Sequence, residues 1–339
     1  MRFLFLFSIG LFTGLVSSPI QAESRPPILR PNDRVVLLGN TLIERARLYG
    51  QLEAALSLAA GESVTGLTFR NLGWSADSVF GDSRSYFGTP QEGRERLSKN
   101  LSELKPTVAM LSYGTGEAMS VDQGWTNEKG AAAASAAGLE QSLALFEASY
   151  QKLIDRVRES SGDSLREVVL ITPPPLENLG APLPDQTENN RRIARFRDTI
   201  RTLAEKNGLH CADLFGALGG DAFTGEVTKT PLTDNGVHFT SEGYSVLARA
   251  LAKELGMNET ILATADPAAK AKLREAIVEK NRLFFHRWRP ANETYLFLFR
   301  KHEQGQNAKE IPMFDPLIAE QEKVIAEARA RVLSGTTKN

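Results

Sequence analysis

Short apolar runs alternate with longer amphipathic segments through the first 256 residues of the chain. The apolar runs lie at 35–38, 67–72, 108–111, 168–171 and 210–214. The segments between them have helical spacing, and the two longest are 139–157 and 190–206. Short strands separated by helices predict a three-layer α/β fold with a parallel sheet, in which ligands bind at the carboxyl ends of the strands.

The residues after Leu255 have a different character. Residues 266–287 form a strongly charged helical pattern with Asp266 as a plausible N-cap and Pro267 at its start, and 316–334 form a second charged helix. Between them aromatic and arginine residues are concentrated without clear periodicity. Two interpretations stay open: the aromatic residues pack this extension on the main domain, or tryptophan and arginine contribute to ligand binding.

Residues 1–22 have the pattern of a secretory signal peptide. Arg2 precedes the apolar run Phe3–Val16, and Ala22 is a small residue at the predicted cleavage point. The run has 14 residues, short of the roughly 20 that a spanning helix needs. We therefore predict an exported protein, periplasmic or extracellular, with no membrane span after signal removal. Its α/β domain would occupy 24–258 and its helical C-terminal extension 259–339.

Charge and cysteine content exclude several classes of protein. The chain has 40 basic and 41 acidic residues, and loss of Arg2 with the signal leaves a net charge of −2. That balance does not fit a nucleic-acid-binding surface or a polybasic membrane tether. Cys211 is the only cysteine, so the chain has no intrachain disulfide and no Cys-x-x-Cys-His haem motif. His286 and His302 lack a carboxylate pattern that would indicate a metal site, and we expect no cofactor.

Glycines and polar residues cluster where the predicted strands end. They form the segments Gly39-Asn40-Thr41, Gly73, Gly114-Thr115-Gly116-Glu117 and Asn235-Gly236-Val237-His238. Any one of these glycines could merely end its strand. Four in this order predict that a hydroxyl, backbone donors and an imidazole converge on one edge of the sheet. An imidazole held by a neighbouring amide or carboxyl group is half of a hydrolase site.

The order of these segments resembles the GDSL/SGNH hydrolases, a family of esterases and lipases with a flavodoxin-like fold. The resemblance covers roughly residues 33–256. Within the family, the chain looks like a planctomycete-type subgroup whose catalytic blocks are degenerate. The resemblance implies that Thr41 takes the place of the nucleophilic serine and that His238 is the base. It also implies oxyanion or substrate-binding roles for a further set of residues, namely Asn40, Gly73, Gly114 and Gly116.

Three departures from the family pattern concern residues with an implied catalytic role. Thr41 replaces serine, Gly116 stands where an oxyanion asparagine is expected, and Asn235 replaces the aspartate that orients the histidine. Asp234 could reach His238 instead if the turn is offset by one residue. Loss of the orienting carboxylate costs about 10⁴ in rate, and loss of an oxyanion donor about 10²–10³.

These departures leave two functions open. The first is a weak or atypical ester hydrolase acting on a small-molecule or glycan ester, with carbohydrate deacetylation as one option. The second is a catalytically impaired binding module for a glycan or a protein partner. The loop 118–138, which follows the third strand, is either a lid over the site or an insertion without a role.

The literal string Gly-Asp-Ser occurs twice elsewhere. Gly162-Asp163-Ser164 precedes a strand, at the edge of the sheet opposite the predicted site, so we reject it. Gly81-Asp82-Ser83 lies in a polar loop with no strand before it, which argues against a catalytic role. Long loops can fold over a site, so this second string stays a minor alternative.

Overall fold

The computed structural model describes residues 27–121, 138–220 and 230–336, together with two short strands at Trp125–Thr126 and Ala132–Ala133. The predicted signal peptide and most of the loop 118–138 lie outside the described residues, so export and a lid both stay predictions. Within the described ranges, no helix combines the length and the apolar character needed to cross a membrane.

The described residues contain seven strands, namely β1 Arg34–Gly39, β2 Thr68–Asn71, β3 Val108–Ser112, β4 Trp125–Thr126, β5 Ala132–Ala133, β6 Glu167–Ile171 and β7 His210–Ala212. Five of them form a parallel central sheet in the order β2-β1-β3-β6-β7. Among the described residues, β4 and β5 pair only with each other, in antiparallel orientation. The five-stranded order confirms the flavodoxin-like prediction and places the topological switch point between β1 and β3, where such folds bind ligands.

Helices cover both faces of the sheet. They are α1 Thr41–Ala46, α2 Gln51–Ala59, α3 Pro90–Leu104, α4 Thr115–Met119, α5 Gly138–Ser161, α6 Thr187–Asn207, α7 Leu214–Ala217, α8 Ser241–Glu254 and α9 Thr260–Thr264. Single 3₁₀ turns lie at Asp82–Ser85 and Gly162–Ser164. The first predicted helix is divided into α1 and α2 because Gly50, at φ +65°, adopts a left-handed conformation that interrupts it.

Alternate residues of each strand face different helical layers, which produces two separate apolar cores. Val36 and Leu38 of β1 belong to the core that includes side chains of α3, α5 and α6. Val35 and Leu37 belong to the opposite core, with side chains of α2 and α8. Both faces of the sheet are therefore buried, as the uninterrupted apolar runs of the sequence predict.

The C-terminal extension is helical and packs beside the edge strand β2. It contains α10 Pro267–Trp288, α11 Glu293–Leu296, α12 Lys301–Gln304, a 3₁₀ segment Gly305–Met313 and α13 Phe314–Thr336. Leu273 and Ile277 of α10 join Leu58 of α2 in a third apolar cluster. Lys280 is fully buried, and its ammonium donates to the Glu53 carboxylate at 2.7 Å. Phe284 of α10 joins the core that contains Val36 and Leu38. An aromatic residue thus packs the extension on the α/β domain, in agreement with the first of the two interpretations.

Candidate active site

A cavity of about 420 Å³ opens at the carboxyl edge of the sheet. Its lining comes from the loops after β1, β2, β3 and β6 and from the loop before α8. The predicted residues Asn40, Thr41, Gly116 and His238 all line it. Its apolar wall is formed by Leu42, Phe80, Met119, Pro174, Leu176, Val237 and Phe239. The structure therefore brings residues that are distant in the sequence to one cavity at the switch point.

Thr41 is placed by the cap of the helix that it begins. The Asn40 side chain accepts a hydrogen bond from the Leu42 N–H at 3.1 Å, the usual N-cap arrangement, so Thr41 is the first residue of α1. The Thr41 hydroxyl oxygen accepts the Ala76 N–H at 3.2 Å. A backbone donor thus lies directly beside the candidate nucleophile.

The N–H of Gly73, which the resemblance assigned to the oxyanion, has a partner within the protein. The Gly73 N–H donates to the Asn71 side chain at 2.8 Å, and Gly73 does not line the cavity. A Cβ at Gly73 would lie 2.2 Å from the Glu44 nitrogen, so this glycine is required for close packing against α1. Ala76 lines the cavity instead, at a φ of +62° that is uncommon for a residue other than glycine. No pattern in the sequence indicates Ala76, because alanine is not the residue expected at that φ.

The N–H of Gly114, a second donor that the resemblance implied, also has a partner within the protein. Gly114 is buried, does not line the cavity, and its N–H donates to the Glu117 carboxylate at 3.0 Å. The other Glu117 oxygen accepts the Val79 N–H at 2.9 Å, and burial raises the pKa of this carboxyl to about 7. Glu117 therefore accepts hydrogen bonds from the loop after β2 and from the loop after β3, at the wall of the cavity.

Gly116 differs from Gly114 because it faces open space. It lines the cavity, and a Cβ built on it would meet no atom within 4 Å. The position where the family places an oxyanion asparagine therefore has room for a side chain but lacks one. Gly116 thus differs from the family pattern in residue type, and a side chain at this position would require no change in the backbone.

The loop that carries His238 is fixed by a buried carboxylate, Glu177. Its oxygens accept the N–H of Leu232 at 3.0 Å and the N–H of Thr233 at 2.8 Å, and its own N–H donates to the Gly236 carbonyl at 2.8 Å. Glu177 is only 1 % exposed. It lies more than 50 residues before His238 in a proline-rich segment, and no local pattern in the sequence indicates this role.

Asn235 contacts the imidazole, and the orientation of its amide is determined by its neighbours. Its side-chain oxygen accepts the N–H of Val237 at 3.1 Å and of His238 at 2.9 Å. The amide nitrogen therefore faces His238 Nδ1, at 3.2 Å, and donates to it. This contact favours the neutral tautomer with the proton on Nε2, whereas a general base needs Nε2 unprotonated.

Asp234 does not replace the missing aspartate. Its side chain is 58 % exposed and lies 3.4 Å from Arg45, while its N–H donates to the His238 carbonyl. The turn is therefore not offset by one residue. Burial, and next the charge of Arg45, lower the pKa of His238, and Asp234 opposes them. Burial and Arg45 thus both favour the neutral imidazole.

The literal motifs do not supply another nucleophile. Ser83 donates to the Ala76 carbonyl at 2.7 Å and does not line the cavity. Ser164 donates to the Pro106 carbonyl before β3, at the amino edge of the sheet, which confirms its rejection. Among the described residues, no group of three or more histidine, cysteine, aspartate or glutamate side chains is placed to hold a metal ion.

A hydroxyl, an imidazole and a backbone donor around one cavity are the groups that acyl hydrolases use. The chain belongs to the GDSL-like lipase/acylhydrolase family, a family of ester hydrolases, whose model matches residues 42–246, or 205 of the 339 residues. No curated protein sequence matches the chain significantly.

Two solved structures illustrate the shared fold. A catalytic mutant of an acetylxylan esterase from Geobacillus stearothermophilus is 16% identical, with 68% of this chain and 98% of that chain covered and a TM-score of 0.50. A gut microbial diltiazem-metabolizing enzyme is 17% identical, with 68% of this chain and 48% of that chain covered and a TM-score of 0.52. At these identities the likeness concerns the fold.

Proposed function

We propose that this protein is a slow ester hydrolase in which Thr41 is the nucleophile and His238 is the base. The observation that carries the proposal is that both side chains line one cavity while the Ala76 N–H donates to the Thr41 hydroxyl at 3.2 Å. Attack of the Thr41 oxygen on the ester carbonyl passes its proton to His238 Nε2 and forms an oxyanion within reach of the Ala76 N–H. The alcohol leaves with that proton, and water then hydrolyses the acyl-threonine.

The low rate follows from the contacts of the imidazole. Proton transfer needs the tautomer with a proton on Nδ1, which would bring two N–H groups face to face at the 3.2 Å contact with Asn235. The same amide cannot stabilise the imidazolium as a carboxylate does. Together with the missing side chain at Gly116, this supports turnover several orders of magnitude below that of an intact triad.

The proposed substrate is a small acyl ester. A cavity of about 420 Å³ with an apolar wall accommodates a short acyl group and part of an alcohol. The acetylxylan esterase of similar fold makes acetylated carbohydrate the first natural substrate to assay. We also propose export to the periplasm or the medium, since Arg2 and the apolar run Phe3–Val16 precede the domain. The mass of the protein's N-terminus, measured after expression in a bacterial host, tests cleavage at Ala22.

The test of catalysis is hydrolysis of p-nitrophenyl acetate by the wild type, Thr41→Ala and His238→Ala. We expect each substitution to lower kcat/KM by at least about 10²-fold. Ser120→Ala is the matched control, because Ser120 also presents a hydroxyl group in the cavity and has no proposed role in catalysis. Activity that is absent from the wild type, or unchanged by loss of Thr41 and His238, would overturn the proposal.

A second function is favoured by one observation, the amide donating to His238 Nδ1. In the tautomer that this contact favours, Nε2 is a hydrogen-bond donor facing a preformed cavity, as a binding module for a glycan or protein partner requires. Calorimetry with acetylated xylo-oligosaccharides distinguishes the two functions. Binding without hydrolysis, weakened by His238→Ala, would support the binding module.

A further inference from the structure

We propose that Arg289, in the C-terminal extension, is a positioning residue that holds the loop carrying the Ala76 N–H against the first turn of α1. The inference rests on the proposed function for its effect on turnover. Its structural part concerns the loop itself and can be tested without any substrate.

The contacts of Arg289 connect three parts of the chain. Its guanidinium carbon lies 3.7 Å from the ring centroid of Trp74, and its Nη1 donates to the Glu44 carboxylate at 3.1 Å. The same Glu44 oxygen accepts the Ser75 N–H. Glu44 lies on α1, three residues after Thr41. Arg289 is thus joined to both the helix of the candidate nucleophile and the loop of the candidate oxyanion donor.

These contacts are shielded from water, so they differ from an ordinary surface ion pair. The side chains of Arg289 and Glu44 are only 22 % and 14 % exposed, and Trp74 is 5 % exposed. Trp288, the residue before Arg289, packs edge-on against Trp74 with ring centroids 5.8 Å apart. A guanidinium that stacks on an indole and also pairs with a carboxylate has a defined orientation that a more mobile cation would lack.

The segment between Trp74 and Asp77 needs such support. Ser75 and Ala76 are exposed, so burial does not fix their backbone. Ala76 has a φ of +62°, a conformation that costs an alanine on the order of 1 kcal/mol. On the far side, Asp77 is fixed by a buried ion pair with Arg84 at 2.7 Å. On the near side, the Glu44 contact to the Ser75 N–H has the same role, and Arg289 holds Glu44 in place.

The expected effect is on the chemical step. An oxyanion donor displaced by about 1 Å can lose on the order of 10²-fold in rate. Arg289→Ala should therefore lower kcat about tenfold to 100-fold while changing KM much less, because Arg289 itself does not line the cavity. Arg289→Lys keeps the charge but loses the planar stacking surface, and should recover part of the loss.

The experiment compares Arg289→Ala and Arg289→Lys with Arg287→Ala. Arg287 is the matched control, because it lies two residues earlier and pairs with Asp315 at 2.8 Å, away from the loop. Hydrogen exchange of the Ser75 and Ala76 amides is followed by NMR, and kcat and KM are measured on p-nitrophenyl acetate. We expect exchange to rise at least about tenfold in Arg289→Ala, less in Arg289→Lys, and not at all in Arg287→Ala.

The two measurements separate this inference from the proposed function. If the wild type hydrolyses no ester, the proposed function fails, and the exchange rates alone decide whether Arg289 holds the loop. Unchanged exchange at Ser75 and Ala76 in Arg289→Ala overturns the inference at any turnover. An equal rise in Arg287→Ala also overturns it, since the cause would then be general loosening of the extension. A fall in kcat confined to the Arg289 variants, with faster exchange at the two amides, supports it.

Discussion

Replacing Asn235 by aspartate should turn the imidazole into an effective base. One carboxylate oxygen keeps the hydrogen bonds from the Val237 and His238 N–H groups, at 3.1 and 2.9 Å. The other oxygen replaces the amide nitrogen 3.2 Å from Nδ1 and can accept a hydrogen bond from a protonated Nδ1. The tautomer that Asn235 disfavours then becomes the favoured one, with no change in the shape of the side chain.

The size of the gain is limited by this distance. The corresponding loss in a serine triad is about 10⁴ in rate, or about 5.5 kcal/mol of transition-state stabilisation. A contact of 3.2 Å is longer than the 2.7–2.9 Å of a charge-assisted hydrogen bond. We therefore expect kcat for p-nitrophenyl acetate to rise by about 10²- to 10³-fold in Asn235→Asp.

The pH profile should shift with the rate. In the wild type, burial and Arg45 lower the pKa of His238. The imidazole therefore stays neutral down to a pH below the ordinary pKa of histidine. A carboxylate beside Nδ1 favours the imidazolium and raises that pKa. The acid limb of kcat/KM should therefore lie at a higher pH in Asn235→Asp than in the wild type, because activity falls as the base becomes protonated.

Two controls make this result decisive. Asp234→Asn removes a carboxylate that faces Arg45, and should change kcat by less than about threefold. Asn235 precedes Gly236, a pair prone to deamidation, so the mass of the wild-type protein must show that no aspartate has formed spontaneously. A folded Asn235→Asp protein with the same melting temperature and no gain in kcat would contradict a role for Asn235 in limiting the base.

Three further predictions concern other parts of the structure. Gly116→Asn, added to Asn235→Asp, should raise kcat by a further tenfold to 100-fold (about 1.4–2.7 kcal/mol), because the side chain enters open space beside the cavity; an unchanged kcat would contradict this. Gly236→Ala should lower the free energy of unfolding in urea by about 1–3 kcal/mol, since φ is +87° and the new Cβ lies 2.7 Å from the Glu177 carbonyl. Gly61→Ala, at φ +80° with open space around it, should lower the free energy of unfolding by less than Gly236→Ala does. Lys280→Met leaves Glu53 buried without this partner and should lower the free energy of unfolding by about 3–5 kcal/mol. Adding Glu53→Leu should recover part of that loss.

The order of elements and the position of the site could be predicted from the sequence. Apolar runs such as Val35–Leu38 are too short for helices and too continuous for a sheet with one solvent-exposed face. They therefore predict a parallel sheet that is covered on both faces. The connections are long enough for crossover helices, which brings the ends of all strands to one edge. Thr41 and His238 could be assigned to that edge for this reason, although about 200 residues separate them.

The donors and the supports of the site could not be predicted. Gly73 and Gly114 satisfied the pattern, yet their N–H groups are used by Asn71 and Glu117. Whether a backbone N–H is free depends on which side chain reaches it, and no local pattern encodes that. Ala76 was missed for the converse reason, because its conformation is imposed by surrounding contacts and not by its residue type.

The amino-acid sequence is therefore enough to predict the fold class, the edge of the sheet that carries the site, and which residue types differ there from the family pattern. The folded structure is needed to show that Asn235, rather than Asp234, contacts the imidazole, and that its amide nitrogen faces Nδ1. It also decided that Glu177 fixes the histidine loop and that Arg289 reaches Glu44 from the extension. The physical reason is the range of the interactions: periodicity is local, whereas these hydrogen bonds join residues far apart in the chain.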